Sequence, residues 1–331
     1  MANIVLRSPQ YKVISSTDSS ANSAKMTITI NSTPRYTIIK KVTGGQPVSF
    51  EISELCRDYL EIGYNSTPVG YTIPITSVIT THAATDGTGT ALDTSTFNDI
   101  GFDGYGTFEQ GANPTVTSSV PRWLIDFDPN YTNNDNKYFV YYPTGYQGYV
   151  PYISTSNTIV YYKFTTTDTD VVGSPAGIKL NIKRINCTKY GVGNKIRFVN
   201  KYGAIQELWF FLKHNKSIQR KQETFQTNTI TQLGVYNTTT ASVTPFNTTA
   251  KQSFSLSSGY YPEWANAWFE QLMLSEQIWV SFDTSTNPTA DVVLPVTVKT
   301  SSFQEKTSVN DKLIEYTFEF ELAADYINNV R

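Results

Sequence analysis

The stretch from Asn186 to Phe211, NCTKYGVGNKIRFVNKYGAIQELWFF, constrains the fold of this chain more than any other. Two apolar runs, one ending at Val199 and one beginning at Leu208, flank the turn sequence Asn200–Gly203. Glycine permits the positive φ of a tight turn, and the flanking runs have the period and composition of strands. The pattern predicts a β-hairpin, and the stretch contains no catalytic or cofactor motif.

The composition favours strands and exposed turns over helices. Hydrophobic residues make up 39% of the 331 residues and charged residues only 16%, below the roughly 25% of an average soluble domain. Thr, Ser and Asn fill the deficit, and β-branched Thr fits a pleated sheet while Asn tolerates turns. The predicted fold class is mainly β, a multi-domain β-sandwich architecture with one or two short α-helices.

Strand, helix and turn signals divide the chain into three segments. Residues 1–65 are predicted to form an N-terminal β-sandwich-like unit. Residues 66–175 are predicted to be an irregular β insertion with a long Gly/Thr-rich loop and a Tyr-rich segment. Residues 176–331 are predicted to form a C-terminal β domain with one helix.

Two helices are predicted from start signals and apolar spacing. The first covers Glu54–Leu60, with Ser53 as its N-terminal cap. The second covers about residues 263–276, because Pro262 provides a start signal and the apolar residues that follow recur with helical spacing.

Several stretches are predicted to lie outside the cores or at sheet edges. Residues 83–119 are predicted as a long loop and Thr227–Ser253 as a Thr/Asn-rich connection. The strand Tyr71–Ile75 contains Pro74, which lacks an N–H group, and it is therefore predicted at a sheet edge. The basic run Lys213–Lys221 is predicted as a solvated loop or strand edge, with contact to a phosphate or an acidic partner as the alternative.

Residues with catalytic chemistry are few. His82 and His214 have no recognisable nucleophile or metal-ligand spacing around them. Asp126–Asp128 offers clustered oxygens without the order of a calcium loop, so an Asx turn is the simpler interpretation. Glu319 and Glu321 alternate along one strand and are predicted as a solvated face rather than a glycosidase pair. The sequence therefore predicts no enzymatic activity, no cofactor and no metal.

Charge and cysteine content limit the classes of partner that the chain is expected to bind and the cellular compartment in which it is expected to be made. A formal net charge of −2 without a basic arm or domain gives no electrostatic footprint for nucleic acid. No apolar run reaches the roughly 18 residues of a membrane span. Residues 1–10 lack the charged and apolar regions of a secretion signal, and Cys56 and Cys187 are predicted to be free thiols. We therefore expect synthesis in a reducing cytosol.

The segment Tyr138–Tyr152, YFVYYPTGYQGYVPY, concentrates tyrosine. Tyrosine faces can stack on sugar rings, pack against a neighbouring subunit, or line a sheet within the chain, and all three interpretations stay open. Under the subunit interpretation the candidate interface residues are Trp123, Tyr141, Tyr142, Tyr146 and Tyr149.

Segments near both ends of the chain resemble those of a known group of proteins. They are Cys187–Tyr190, Ile196–Ala204 and Leu208–Phe211 in the hairpin region, Lys299–Lys306, Tyr316–Glu321 and Asn328–Arg331 towards the C-terminal end, and Phe50–Ser53 with Arg57–Tyr59 towards the N-terminal end. This arrangement resembles virion structural proteins of tailed phages, particularly those infecting Bacteroidetes. The matching motifs are structural, so the resemblance transfers no site residue.

The resemblance implies a non-enzymatic structural subunit of a bacteriophage virion. It implies a tail ring or baseplate component similar to distal-tail proteins, which joins the tail tube to fibres or adjacent rings. The partners would be copies of the chain in a homo-oligomeric ring and other tail, neck or fibre proteins, with no nucleic acid and no membrane. The chain would be made in the bacterial host cytoplasm and reside in the virion tail or neck. The alternatives are a glycan- or receptor-binding module of a tail fibre, a neck or connector protein, and a glycan hydrolase.

Overall fold

The structure is a computed structural model that describes residues 2–43, 46–116, 122–131, 137–171, 178–186, 193–230, 233–235, 238–282, 292–307 and 312–326. Strands account for 50% of it and helical segments for 7%. The predicted fold class, mainly β with a multi-domain β-sandwich architecture and one or two short α-helices, is confirmed.

The elements follow one another as a long series of strands interrupted by two helices. The strands are β1 (Ala2–Val5), β2 (Tyr11–Ser15), β3 (Ser23–Ile30), β4 (Thr33–Lys41), β5 (Pro47–Glu51), β6 (Ile73–His82), β7 (Thr94–Phe102), β8 (Arg122–Trp123), β9 (Tyr138–Pro143), β10 (Gly148–Ile153), β11 (Ile159–Phe164), β12 (Asp170–Val171), β13 (Leu180–Ile185), β14 (Asn194–Val199), β15 (Ile205–Phe210), β16 (His214–Gln226), β17 (Val243–Ser257), β18 (Tyr261–Pro262), β19 (Ile278–Phe282), β20 (Val292–Val298), β21 (Leu313–Ile314) and β22 (Thr317–Leu322). The helices are α1 (Ser53–Arg57) and α2 (Asn266–Leu274), with 3₁₀ turns at Phe108–Gln110 and Glu263–Ala265.

The chain forms two compact units. Unit 1 comprises Met1–Asn186, Arg197–Leu208 and Trp264–Glu276, and unit 2 comprises Cys187–Ile196, Trp209–Glu263 and Gln277–Arg331. The predicted segments 1–65 and 66–175 contribute strands to one common sheet, because β3 pairs with β6 and β1 pairs with β7. The division into 1–65, 66–175 and 176–331 as separate folding domains stays a prediction.

In the N-terminal part of unit 1, two groups of strands and α1 share one apolar core. A five-stranded sheet in the order β1-β7-β6-β3-β4 and the antiparallel pair β2-β5 share one apolar cluster with α1. The buried members of this cluster are Ile4, Leu6, Ile14, Ala24, Met26, Ile28, Ile30, Val42, Phe50, Ile52, Cys56, Ile73, Ile75 and Ile79. Every second residue of β3 faces this core, which is the period expected of a strand with one buried face.

Two strands depart from the sequence expectations. The structure places β6, with Pro74 as its second residue, between β3 and β7, so the predicted edge position is wrong. β7 lies inside the predicted loop 83–119, which is therefore wrong over those nine residues. The strand has no clean apolar alternation, because the core position Asp99 is a carboxylate whose Oδ2 lies 2.5 Å from Nζ of the buried Lys12.

Both predicted helices form, and both are shorter than expected. α1 ends at Arg57, and Ser53 is its first residue rather than its cap, because the Ser53 hydroxyl donates to the Glu51 carboxylate. α2 begins at Asn266 after a 3₁₀ turn, and its buried side chains include the apolar residues Trp268, Phe269 and Leu272. The helical spacing therefore predicted the buried face of α2, whereas the ends of both helices were predicted less accurately.

The predicted β-hairpin around the turn Asn200–Gly203 is confirmed. β14 and β15 are joined by a turn in which the Asn200 N–H donates to the Ala204 carbonyl at 2.9 Å. Gly203 has a φ of 78°, the left-handed conformation that the turn requires. A methyl group on Gly203 would lie 2.8 Å from the backbone nitrogen of Asp103, so the position is also crowded.

Replacing Gly203 with Ala is expected to lower the free energy of unfolding by about 2–4 kcal/mol, because a left-handed residue with Cβ costs energy and the added methyl overpacks the site. Gly89→Ala is the matched control, since Gly89 has a φ of 86° and nothing within 4 Å of an added methyl. Urea unfolding of both variants measures the difference. Equal losses at the two positions would contradict the close approach at Gly203.

A seven-stranded sheet, with most of its residues in unit 2, has the order β15-β14-β19-β20-β22-β17-β16. Its strand β22 alternates as expected, with Phe318 and Phe320 buried and Glu319 exposed. β16 is the last strand of the sheet, and it pairs with β17 from His214 to Gln226.

Candidate assembly surface

The Tyr-rich segment forms two consecutive strands of unit 1, β9 and β10, which belong to different three-stranded sheets, in the orders β12-β13-β9 and β11-β10-β8. Tyr142 is 1% exposed and Tyr146 is 8% exposed, while Tyr141 and Tyr149 are half-buried. Trp123, on β8, is 1% exposed. Three of the five candidate interface residues therefore lie in the interior of the chain.

A buried ion pair holds the Tyr142 side chain and the backbone at Tyr149. Arg197 donates from Nε to Glu207 Oε1 at 2.8 Å, and its second terminal nitrogen lies 2.6 Å from the same oxygen. The Tyr142 hydroxyl donates to Glu207 Oε2 at 2.8 Å, and the Tyr149 backbone N–H donates to that oxygen at 3.2 Å. The Glu207 carboxylate is thus a common acceptor for two elements of the Tyr-rich segment and for Arg197.

The same arginine is enclosed on its other side. Its Nη1 donates to the carbonyls of Asn65 and Ser66 at 2.9 and 3.0 Å, and its guanidinium lies 5.4 Å from the Tyr64 ring centre. Burial acts to lower the pKa of Arg197, but the nearby Glu207 charge outweighs it and the pKa is raised. The buried Arg197 charge therefore depends on the Glu207 carboxylate for compensation.

The remaining candidates also make contacts within unit 1. Trp123 packs edge-on against Tyr152 and Tyr162, and its indole N–H donates to the Ile178 carbonyl at 3.1 Å. The ring centres of Tyr141 and Trp268 lie 6.2 Å apart, and burial raises the pKa of the Tyr141 hydroxyl. These contacts lie within unit 1, with the segment divided between two sheets, and its role as a subunit interface stays a prediction.

Unit 2 contains a long β-ribbon, which we call the arm and define as β16, β17 and the described residues between them, 227–230, 233–235 and 238–242. Its strands β16 and β17 contain 13 and 15 residues, so the ribbon is about 44 Å long at the usual rise per residue. β17 pairs with β22 only from Ser253 to Ser257, and the Ala250 carbonyl accepts from the Tyr326 N–H. Among the described residues, the ribbon beyond Lys221 and Thr249 pairs only with itself.

Beyond Lys221 and Thr249, most of the described side chains of the arm are exposed, including the large apolar ones. The exposed fraction is 45% for Phe225, 64% for Phe246, 60% for Ile230 and 89% for Leu233. The Phe225 and Phe246 rings contact each other with centres 6.1 Å apart. A two-stranded ribbon without a third layer is marginally stable in water, and exposed apolar patches are typical of interaction surfaces and ligand-binding grooves.

The arm as a whole was not predicted from the sequence, for a physical reason. The basic run Lys213–Lys221 was expected as a loop or strand edge and forms most of an edge strand. Residues Thr227–Ser253 were expected as a connection, and this is wrong from Val243 onwards, where β17 begins. A ribbon with two wet faces needs no apolar alternation, so the period that reveals most strands is absent. The uninterrupted run from His214 to Gln226 without Gly or Pro was the available signal.

The candidate catalytic and metal-binding residues have ordinary structural partners. His82 Nε2 lies 2.8 Å from the Thr80 hydroxyl, and His214 is exposed at the start of β16. Asp128 accepts from the backbone N–H of Asn130 at 2.9 Å, which is the expected Asx turn. Within the described ranges, no three His, Cys, Asp or Glu residues form a group that could hold a metal ion.

The acidic strand face and the cysteine also have structural explanations. Glu321 forms ion pairs with Lys251 at 2.8 Å and Lys299 at 3.4 Å, and Glu319 is exposed. Burial raises the pKa of the free thiol Cys56 to about 12, with Glu51 and Asp99 adding to the effect. The second cysteine, Cys187, lies outside the described residues.

One open cavity in unit 1 has an aromatic rim. Its volume is about 460 Å³, and its lining includes Pro9, Tyr11, Phe108 and Pro114. Phe108 is fully exposed and Tyr11 is 42% exposed. The glycan-binding alternative was placed at the Tyr-rich segment, and this cavity is a separate feature that also presents exposed aromatic faces.

No protein-family model, curated protein or solved structure matches this chain. In the part of the chain that the structure describes, no helix is long and apolar enough to cross a membrane.

Proposed function

We propose that this chain is a non-enzymatic structural subunit of a tailed-bacteriophage virion, a tail ring or baseplate component that joins the tail tube to fibres or adjacent rings. Its partners are copies of itself and other tail, neck or fibre proteins, and it is made in the host cytoplasm. The sequence resemblance motivates the virion assignment. The arm is the single observation that carries the structural role, because assembly gives its exposed apolar end a partner.

The arm has the form expected of an element that reaches a neighbouring subunit. Its base is part of a seven-stranded sheet, which holds it in a defined direction within unit 2. Its outer half exposes Phe225 and Phe246, and aromatic side chains are common anchors of protein interfaces. An assembled neighbour would bury these rings and order the ribbon.

The double variant Phe225→Ser with Phe246→Ser is expected to reduce incorporation into virions by about tenfold or more, because it removes two aromatic anchors. Thermal stability of the isolated chain should change little, since both side chains are largely exposed. Tyr260→Ser is the matched control, because Tyr260 is 66% exposed and lies outside the arm.

The test uses a phage lacking its own copy of the gene and complemented with each variant. Mass spectrometry of purified particles gives the number of copies per virion. Full incorporation of the double variant would contradict an assembly role for the arm. Absence of the wild-type chain from particles would contradict the virion assignment itself.

The glycan-binding alternative has its own observation, the aromatic cavity beside Phe108. A glycan array that detects millimolar binding separates the two functions. Binding that Phe108→Ala abolishes, together with normal assembly of the arm variant, would favour a receptor-binding module over a ring or baseplate subunit.

A further inference from the structure

The two edges of the arm differ in their capacity to accept another strand. On β17, Pro245 has no N–H to donate, and Phe246 is an extra residue that shifts the register opposite Glu223 and Thr224. Bulges and prolines of this kind protect a sheet edge from pairing. On β16, residues 214–226 contain neither proline nor glycine and run without interruption along the last position of the sheet. Among the described residues only β17 pairs with β16, so alternate residues of β16 direct N–H and C=O groups towards an edge without a strand partner.

The exposed charges on this edge are complementary to themselves. Lys221, Gln222 and Glu223 stand in succession, with both charged side chains exposed. If two copies of β16 pair antiparallel with Gln222 opposite Gln222, Lys221 of each copy stands opposite Glu223 of the other. Opposite charges at directly facing positions stabilise a strand pair, whereas like charges destabilise it.

The charge pattern also selects this register against its neighbours. Centring the pair on Arg220, Lys221 or Glu223 would place a residue opposite its own copy and oppose like charges. Centring it on Gln219 would leave every charge without a counter-charge. In the register centred on Gln222, Arg220 faces the uncharged Thr224 and Gln219 faces Phe225, so both ion pairs form and no like charges meet.

We propose that two copies of this chain associate by antiparallel pairing of their β16 edges about Gln222, which gives a four-stranded ribbon in the order β17-β16-β16-β17. The contact is isologous, since the same surface is used on both copies. It gives the arm of each copy the third and fourth strands that it lacks alone. The proposal deepens the assembly role proposed above, because it names a second copy of this chain as one partner of the arm.

Charge reversal on the purified full chain tests the proposal, with sedimentation and mass photometry over a concentration series as the readout. Wild-type chain is expected to form dimers. Lys221→Glu and Glu223→Lys should each weaken dimerisation by about tenfold or more, because each turns both attractive pairs into repulsive ones. The double variant Lys221→Glu with Glu223→Lys should restore it, since exchanging the charges preserves both pairs. A mixture of the two single variants should form heterodimers.

Arg220→Glu is the matched control, because it makes the same change in net charge as Lys221→Glu at a position that faces Thr224 in the proposed pair. It should dimerise like the wild type. Circular dichroism melting confirms that each exposed substitution leaves the fold intact. A monomeric wild type, a dimer insensitive to Lys221→Glu, or a double variant that stays monomeric would each overturn the proposal. Because these measurements use isolated chain, they are independent of whether the chain is found in virions.

Discussion

Replacing Glu207 with Gln is expected to lower the free energy of unfolding by about 3–5 kcal/mol, because the change leaves the buried Arg197 charge without its counter-ion. The Arg197 and Glu207 side chains are 4% and 1% exposed, so water cannot compensate for the missing charge. Gln retains the size of the side chain but has one acceptor oxygen, so its NH2 group faces either the Arg197 donors or the Tyr142 and Tyr149 donors. The loss therefore reports the charge and its hydrogen bonds rather than the packing.

The double variant Arg197→Met with Glu207→Gln is the control for this prediction. Removing both charges eliminates the uncompensated cation, so part of the lost stability should return. Urea unfolding with linear extrapolation measures all three proteins. A loss below about 1 kcal/mol for Glu207→Gln, or a double variant less stable than the single one, would contradict the buried ion pair.

Trp123→Ala is expected to lower the free energy of unfolding by about 3–5 kcal/mol, since it removes a large, fully buried side chain from a packed interior. The indole contacts Tyr152 and Tyr162 and donates to the Ile178 carbonyl, so the truncation leaves both a cavity and an unpaired acceptor. Tyr131→Ala is the control, because Tyr131 is 45% exposed and should cost much less. Thermal and urea unfolding supply the comparison.

This second prediction bears directly on the interface interpretation of Trp123. A surface residue that contacts only a neighbouring subunit would affect assembly and leave the isolated fold stable. A Trp123→Ala chain as stable as the wild type would therefore contradict the observed burial and restore Trp123 as an interface residue.

The part of the fold that the sequence predicted best is the part where burial imposes a clear period. β22 alternates between apolar and acidic residues, and a strand was predicted there. The hairpin of β14 and β15 was predicted because Gly203 marks the turn. Counting outwards from the Asn200–Ala204 bond places Arg197 opposite Glu207, so the buried ion pair was also readable from the turn. Two opposite charges within an apolar hairpin were the signal that the analysis left unused.

The features that no sequence pattern predicted are those in which a polar residue is buried or an apolar residue is exposed. Asp99 occupies a core position because Lys12 compensates its charge, and the contact between them joins strands far apart in the sequence. No local pattern contains that information. Beyond Lys221 and Thr249, the described part of the arm is largely exposed on both faces, so neither a helical nor a strand period marks it.

The burial of the candidate interface residues was likewise not predictable from the sequence. Tyr142 and Tyr146 were selected for composition, which cannot distinguish a tyrosine that contacts a partner from one that donates to a buried carboxylate. Exposure of Phe225 and Phe246 depends on the absence of a third layer over the ribbon, a property of the tertiary structure alone.

The proposed function is tested most directly by a cryo-EM reconstruction of the phage that encodes this chain, at a resolution that traces side chains. The account predicts a symmetric ring of copies in the tail or neck, with the Phe225 and Phe246 rings of each arm buried against an adjacent subunit. Copies found only at fibre tips, or particles without the chain, would contradict it.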